Sequence, residues 1–384
     1  MAKKSTSSTT APDTAWLGRG RHLGPEAEQD VRRNLIALKA AGVLDDFLDL
    51  DPVEAARSSA LYPRDESADP GASARRVFEA RWRVAGDVTV RAQLTTYDPE
   101  GRRREGEGVV WVVAAEAERM WDAHWPSPVT MFWPDSDRAP WDHGWTVPDV
   151  RLRMANHLPK DDDELRRRLR ELTRHSWFIH VVVHEAMTPD VLGQRPVSAF
   201  LPPSLRHRVV EHRATPEQAQ IADFAMKREL GVRMPRGGAV VLPVATRSQD
   251  HDAERFSVRD VFLDGSAPTE LLDRIKEFAA LPSLLPAEAE QALTRLRQGW
   301  HLLSPDEELV HARDMVSRYA QALEAMTTSR DLYKEAAEAA HAALAEVNGG
   351  DGVLRPAAPG AARTDGSALG ALTKAFGRFR GADK

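Results

Sequence analysis

Residues 304–347 restrict this chain more than any other stretch. They open on Ser304-Pro305-Asp306-Glu307, a cap acceptor followed by proline at the first helical position and acidic residues in the first turn. Beyond it, residues seven apart read Leu309, Val316, Leu323, Arg330, Ala337 and Leu344. The positions between them read Ala312, Tyr319, Met326, Tyr333, Ala340 and Val347. Only Arg330 interrupts the apolar seam. An α-helix drifts by about 20° per heptad against a strict seven-residue repeat, so a seam kept for about six heptads selects coiled-coil packing over a globular surface helix.

The expected element is a helical rod of roughly 60 Å, at 1.5 Å per residue. Its seam specifies apolar cover without naming the partner. Either another helix of the same chain, such as residues 286–299, folds back on it, or a second copy does. In the second case Leu309, Val316, Tyr319, Leu323, Met326 and Leu344 form the oligomerisation surface. Thr327-Thr328-Ser329 are weak helix formers beside Arg330, and a break there would turn the rod into an antiparallel pair.

Upstream the apolar period changes to two. Phe78, Ala80, Trp82 and Val84 alternate with polar residues, as do Val88, Val90, Ala92 and Leu94, with Gly86-Asp87 between the two runs. That pattern predicts antiparallel strands joined by a hairpin. Val109–Val113 reads as a third strand, and Trp177–Val183, Gly238–Leu242 and Phe256–Leu263 as further ones. Helices are predicted from Pro25 to Ala41, after Asp51-Pro52, from Asp161 to His175, over Pro203–His212, after Thr215, and from Thr269 onward with a break at Pro282–Pro286. The fold class is therefore α+β: an antiparallel or mixed sheet body with flanking helices, then an all-helical C-terminal region with a coiled-coil-like helix. Residues 1–15 read as a disordered tail and 16–265 as the body, which a boundary near 150 would divide. Residues 266–347 read as helical, 348–366 as a flexible linker and 367–384 as a cationic amphipathic tail. In that tail Leu372, Phe376 and Phe379 would dock a partner.

Composition removes several kinds of chemistry. The chain has no cysteine, which excludes disulfides, thiolate nucleophiles and cysteine zinc sites. A net charge of −6 over 384 residues argues against a general nucleic-acid surface, which needs a cationic field. No window approaches the roughly 18 apolar residues of a membrane span, and the polar start lacks the apolar core of a secretory signal, so the expected location is the cytoplasm. There is no phosphate loop, dinucleotide fingerprint or nucleophile elbow.

Four candidate sites remain. His180 and His184, with Glu185 and more distantly His143, offer acid–base or metal chemistry. The β-branched run between the first two predicts a strand, on which residues four apart stand about 13 Å from each other, too far to share one ion. No metal or cofactor is therefore expected. The Trp-rich segment 111–145 offers Trp125, Trp133, Trp141 and Trp145 as ligand-stacking faces, against the bland reading that large aromatics anchor a loop. Arg206, Arg208 and Arg213 form a candidate phosphate or nucleic-acid surface. The seam and the tail suit assembly. The reading that gathers most of these features is a non-enzymatic, homo-oligomeric scaffold or adaptor binding another protein through its tail. An enzyme or ligand-binding protein with a pocket in segment 111–145 is the alternative, and a nucleic-acid-binding regulator the third.

Overall fold

Burial along the strands, nearly continuous in the central ones, shows how this chain is layered. In the computed structural model, residues 10–24, 26–51, 74–97, 108–134, 141–142, 150–174, 177–184, 194–243, 254–259, 261, 267–282 and 285–349 are described. They form two sheets, seven helices and two units, residues 1–304 and 305–384. The helix expected after Asp51-Pro52, the linker 348–366 beyond Gly349 and the tail 367–384 lie outside the described residues.

The first sheet is antiparallel throughout. Its strands are β1 (Ala15–His22), β2 (Leu44–Leu50), β3 (Ala74–Val84), β4 (Val88–Tyr97), β5 (Val109–Ala117) and β6 (Trp141–Asp142), in the order β2-β3-β4-β5-β1-β6. The hairpin turns through Ala85 and Gly86, both at positive φ, and pairs Val84 with Val88. Phe78, Ala80, Trp82, Val90, Leu94 and Trp111 share one face. Against it lies α1 (Ala27–Ala40), which inserts Val31 and Leu35. The short helix α2 (Val129–Phe132) is tied to α1 by Asn34, whose amide donates to Thr130 O and Met131 O, both at 3.1 Å.

The other face of this sheet carries polar residues that the C-terminal part of the unit satisfies. Glu116 binds Arg297, and Arg19 binds Glu288 at 2.9 Å. Both partners stand on α6 (Ala287–Gln298), whose Ala289, Ala292, Leu293 and Leu296 are buried. The sheet is thus covered on both sides, which explains why β5 is apolar almost without alternation.

The second sheet has the order β11-β10-β8-β9-β7, from β7 (Ala155–His157), β8 (Ile179–His184), β9 (Val209–Ala214), β10 (Ala239–Val241) and β11 (Ser257–Val258). β9 runs parallel to both β8 and β7, while β10 is antiparallel to β8. Every residue of β8 and β9 is buried. One face joins the main core through α3 (Asp162–Arg174) and α4 (Ala219–Leu230). The opposite face packs a smaller cluster with Leu271, Ile275 and Phe278 of α5 (Thr269–Ala279). Asp161 caps α3, accepting from the Asp163 and Glu164 amides.

One local expectation is corrected, and two strands stand where the sequence reading assigned no element. Residues 203–212 are not a helix. Pro203–Leu205 form one 3₁₀ turn and β9 follows, because the extended segment gains pairing on both edges and burial on both faces. Residues 16–22 are a central strand although Gly18, Arg19, Gly20 and Arg21 hide its period. Residues 44–50 are an edge strand despite three aspartates, each within reach of a cation: Asp45 near Arg81 and Arg83, Asp46 on Lys39, Asp49 on Arg32.

The second unit contains α7 (Pro305–Gly349), a single helix of 45 residues and about 67 Å. It runs unbroken through Thr327-Thr328. Their hydroxyls donate to the carbonyls of Leu323 and Glu324, so the weak helix formers bond back onto the helix instead of ending it.

Candidate functional site

The seam of α7 lies on one side of a continuous helix, as its spacing requires. Val316, Leu323 and Met326 are 68%, 64% and 69% exposed. Leu309, Tyr319, Tyr333 and Leu344 are exposed as well. Of the nine large apolar residues exposed on α7, seven occupy seam positions, with Val310 and Leu332 outside it. Among the described residues elsewhere, the exposed large apolar side chains are Ile36, Val43, Met120, Met154 and Phe224, which come from separate elements and form no stripe. Arg330 binds the neighbouring Asp331 at 2.8 Å, so its charge is met on the helix surface. Small residues flank the seam at Ala320, Ala322, Ala336 and Ala343, which lets a facing helix approach closely.

The histidine candidates fall inside the second sheet. His180 and His184 sit at opposite ends of β8, both buried. In the parallel register His180 stands beside Val210 and Val182 beside His212, so both rings share one face. His180 Nδ1 and His212 Nε2 share a hydrogen bond of 3.2 Å. One nitrogen must donate and the other accept, which a neutral pair can do. Burial holds the His212 imidazole down to about 3, with Arg168 adding to the effect. His207 is likewise held to about 3, mainly by burial, and bonds Ser127 Oγ at 3.0 Å. Burial and then Arg236 lower His184. Among the described residues no group of three His, Asp or Glu side chains could hold a metal ion. His143 and Glu185 lie outside the described residues.

The aromatic candidates separate. Trp133 is in the core, stacked on His22 at 5.8 Å, with its indole N–H donated to Ala27 O. Trp125 is half-buried, edge-on to Trp121 at 5.5 Å. Trp141 belongs to β6, where it pairs with His22, and Trp145 lies outside the described residues. The three arginines also separate. Arg213 is 4% exposed and binds Glu211 at 2.7 Å and Arg195 O at 2.9 Å. Burial raises the Glu211 carboxyl, opposed by Arg213 and by the Val197 amide. Arg206 and Arg208 are half-buried on the approach to β9, Arg206 donating to Leu201 O. The tail residues Leu372, Phe376 and Phe379 lie outside the described residues.

Two groups escaped the sequence reading. Glu79 of β3 meets His301 and Leu302 across more than 200 residues, Trp16, Trp121 and Trp177 come together from three distant segments, and no local period marks either group. No protein-family model, curated protein or solved structure matches this chain. Among the described residues no helix is long and apolar enough to cross a membrane.

Proposed function

We propose that this protein is a non-enzymatic scaffold or adaptor of the cytoplasm that assembles with itself through α7, leaving the two-sheet body and the tail 367–384 free to engage another protein. The observation that carries the reading is the exposed seam: seven large apolar side chains on one stripe of a 45-residue helix. A helix of this length in water gains little from intrinsic propensity and is stabilised chiefly by covering its apolar face. A second copy supplies a matching face in register, Leu323 on Leu323 and Met326 on Met326. Charge favours this parallel arrangement. Glu308 and Arg313 flank the seam five residues apart, the spacing at which two in-register helices bring opposite charges together across the interface.

Light scattering of the full chain and of Leu323→Asp tests the reading. The wild type is expected above monomer mass at tens of micromolar, and the aspartate variant at monomer mass with its body still folded. A monomeric wild type at that concentration sinks self-assembly, and with it the preference for a scaffold over a small-molecule-binding protein.

A further inference from the structure

Around β2 the exposed cations are met by carboxylates: Lys39, Arg32, Arg81 and Arg83 each have one at ion-pair distance. The end of α4 departs from that pattern. Lys227 and Arg228 in its last turn, Arg233 just beyond it and Arg174 in the last turn of α3 are all exposed. Among the described residues none of the four has a carboxylate at ion-pair distance.

The fold gathers them. Arg170 of α3 binds Glu229 of α4 at 3.4 Å, which sets the two helix ends side by side. Gly231 takes the left-handed conformation and the chain doubles back along α4. Gly231 N donates to Lys227 O at 3.2 Å and Met234 N to Asp223 Oδ1 at 2.9 Å, so Arg233 stands against the same helix end. Here Arg170, Arg174, Lys227, Arg228 and Arg233 outnumber Asp223 and Glu229 by three. Each helix C-terminus carries about half a negative charge, so dipole neutralisation accounts for about one of the three and leaves about two. Phe224 lies three and four residues before Lys227 and Arg228, hence on the same face, and is 56% exposed. A lone exposed apolar residue is ordinary. A phenyl ring beside uncompensated cations sets a joint requirement, an apolar contact flanked by anions.

We propose that this patch docks an acidic protein segment, one apolar side chain lying on Phe224 and flanking carboxylates pairing with Lys227, Arg228 and Arg233. A nucleic acid fits less well: it needs a longer cationic track with several stacking rings, and past the patch it would run onto a chain of net charge −6. The proposal deepens the adaptor reading by naming what the body binds, and it does not depend on α7. Fluorescence anisotropy of the full chain with a labelled peptide, aspartate and glutamate around one central phenylalanine, is the test. The same peptide with lysine in place of the acids and a labelled oligothymidylate are the controls. Saturable binding of the acidic peptide is expected, weakening severalfold as salt rises from about 50 to about 200 mM. The Lys227→Glu, Arg228→Glu double variant should abolish it, and Phe224→Ser should weaken it roughly tenfold or more as the apolar contact is lost. These positions are exposed, so both variants should melt with the wild type. Leu323→Asp should bind the peptide as the wild type does, which separates failure of this site from failure of self-assembly. No saturation by the acidic peptide, equal binding of the lysine peptide, tighter binding of oligothymidylate, or unchanged affinity in the double variant would each overturn the assignment.

Discussion

Glu79 gathers four donors onto one carboxylate with no solvent exposure: the Gln93 amide, the backbone N–H groups of His301 and Leu302, and His301 Nδ1, all within 3.1 Å. Truncation to alanine leaves two backbone amides and a glutamine buried without an acceptor. Urea denaturation of Glu79→Ala should therefore show a loss of about 3–5 kcal/mol. A loss below about 1 kcal/mol would mean that water replaces the carboxylate. His212 and His207 make the fold sensitive to acid. Both are neutral in the native state, held to about 3 by burial, against 6.5 in the unfolded chain. Above pH 6.5 neither state takes up the proton and the stability is fully present. As pH falls from 6.5 toward 3, the unfolded chain binds protons that the native rings refuse, and each ring removes up to about 1.4 kcal/mol per pH unit. His212→Gln should flatten the pH dependence of unfolding over this window by about half of the two-histidine slope. An unchanged slope would show that His212 titrates normally in the fold.

At the scale of elements, β10 enters its sheet through Gly238. A Cβ there would stand 1.9 Å from Val258 O of β11. That neighbour is backbone, so the strands must separate to admit it. Gly238→Ala is expected to cost about 1–3 kcal/mol, read as a lowered thermal midpoint. No change would place β11 farther from β10 than their pairing of Ala239 with Val258 requires. The aspartates of β2 act in the opposite sense, toward solvent. They sit on the edge of the first sheet and are held by Lys39, Arg32, Arg81 and Arg83, so the strand keeps its inner pairing while its outer edge repels further strands. A propensity reading penalises Asp in strands because it lacks these partners, most of which arrive from β3 and α1.

For the whole molecule, Arg330 is the informative seam position. It interrupts the apolar repeat and binds Asp331 on the helix surface. In a parallel assembly two such guanidinium groups meet at one level and must turn outward, which weakens association while favouring one register. Arg330→Leu should tighten self-association by about tenfold, as burial of a leucine side chain contributes about 1.5–3 kcal/mol less the repacking cost. Sedimentation across a concentration series reads the change. Association weaker than wild type would indicate that Arg330 makes a favourable contact across the interface and that the register differs from the one proposed.

What the sequence determined by itself was whatever a short window contains. The seven-residue repeat of α7, the alternation and Gly86 turn of β3–β4, the capped start of α3 and the β-branched run of β8 each carry their period in adjacent residues, because one face of each element meets one kind of surroundings. The strand setting of His180 and His184, four residues apart along β8, was legible for the same reason. Tertiary structure decided β1 and β9, whose charged residues look solvated until Glu288 meets Arg19 and until β7 and β8 enclose Glu211 and Arg213. It also decided that Trp133 is core while Trp121 lines a cavity. Burial and pairing are sums over contacts distant in sequence, and no local period encodes them.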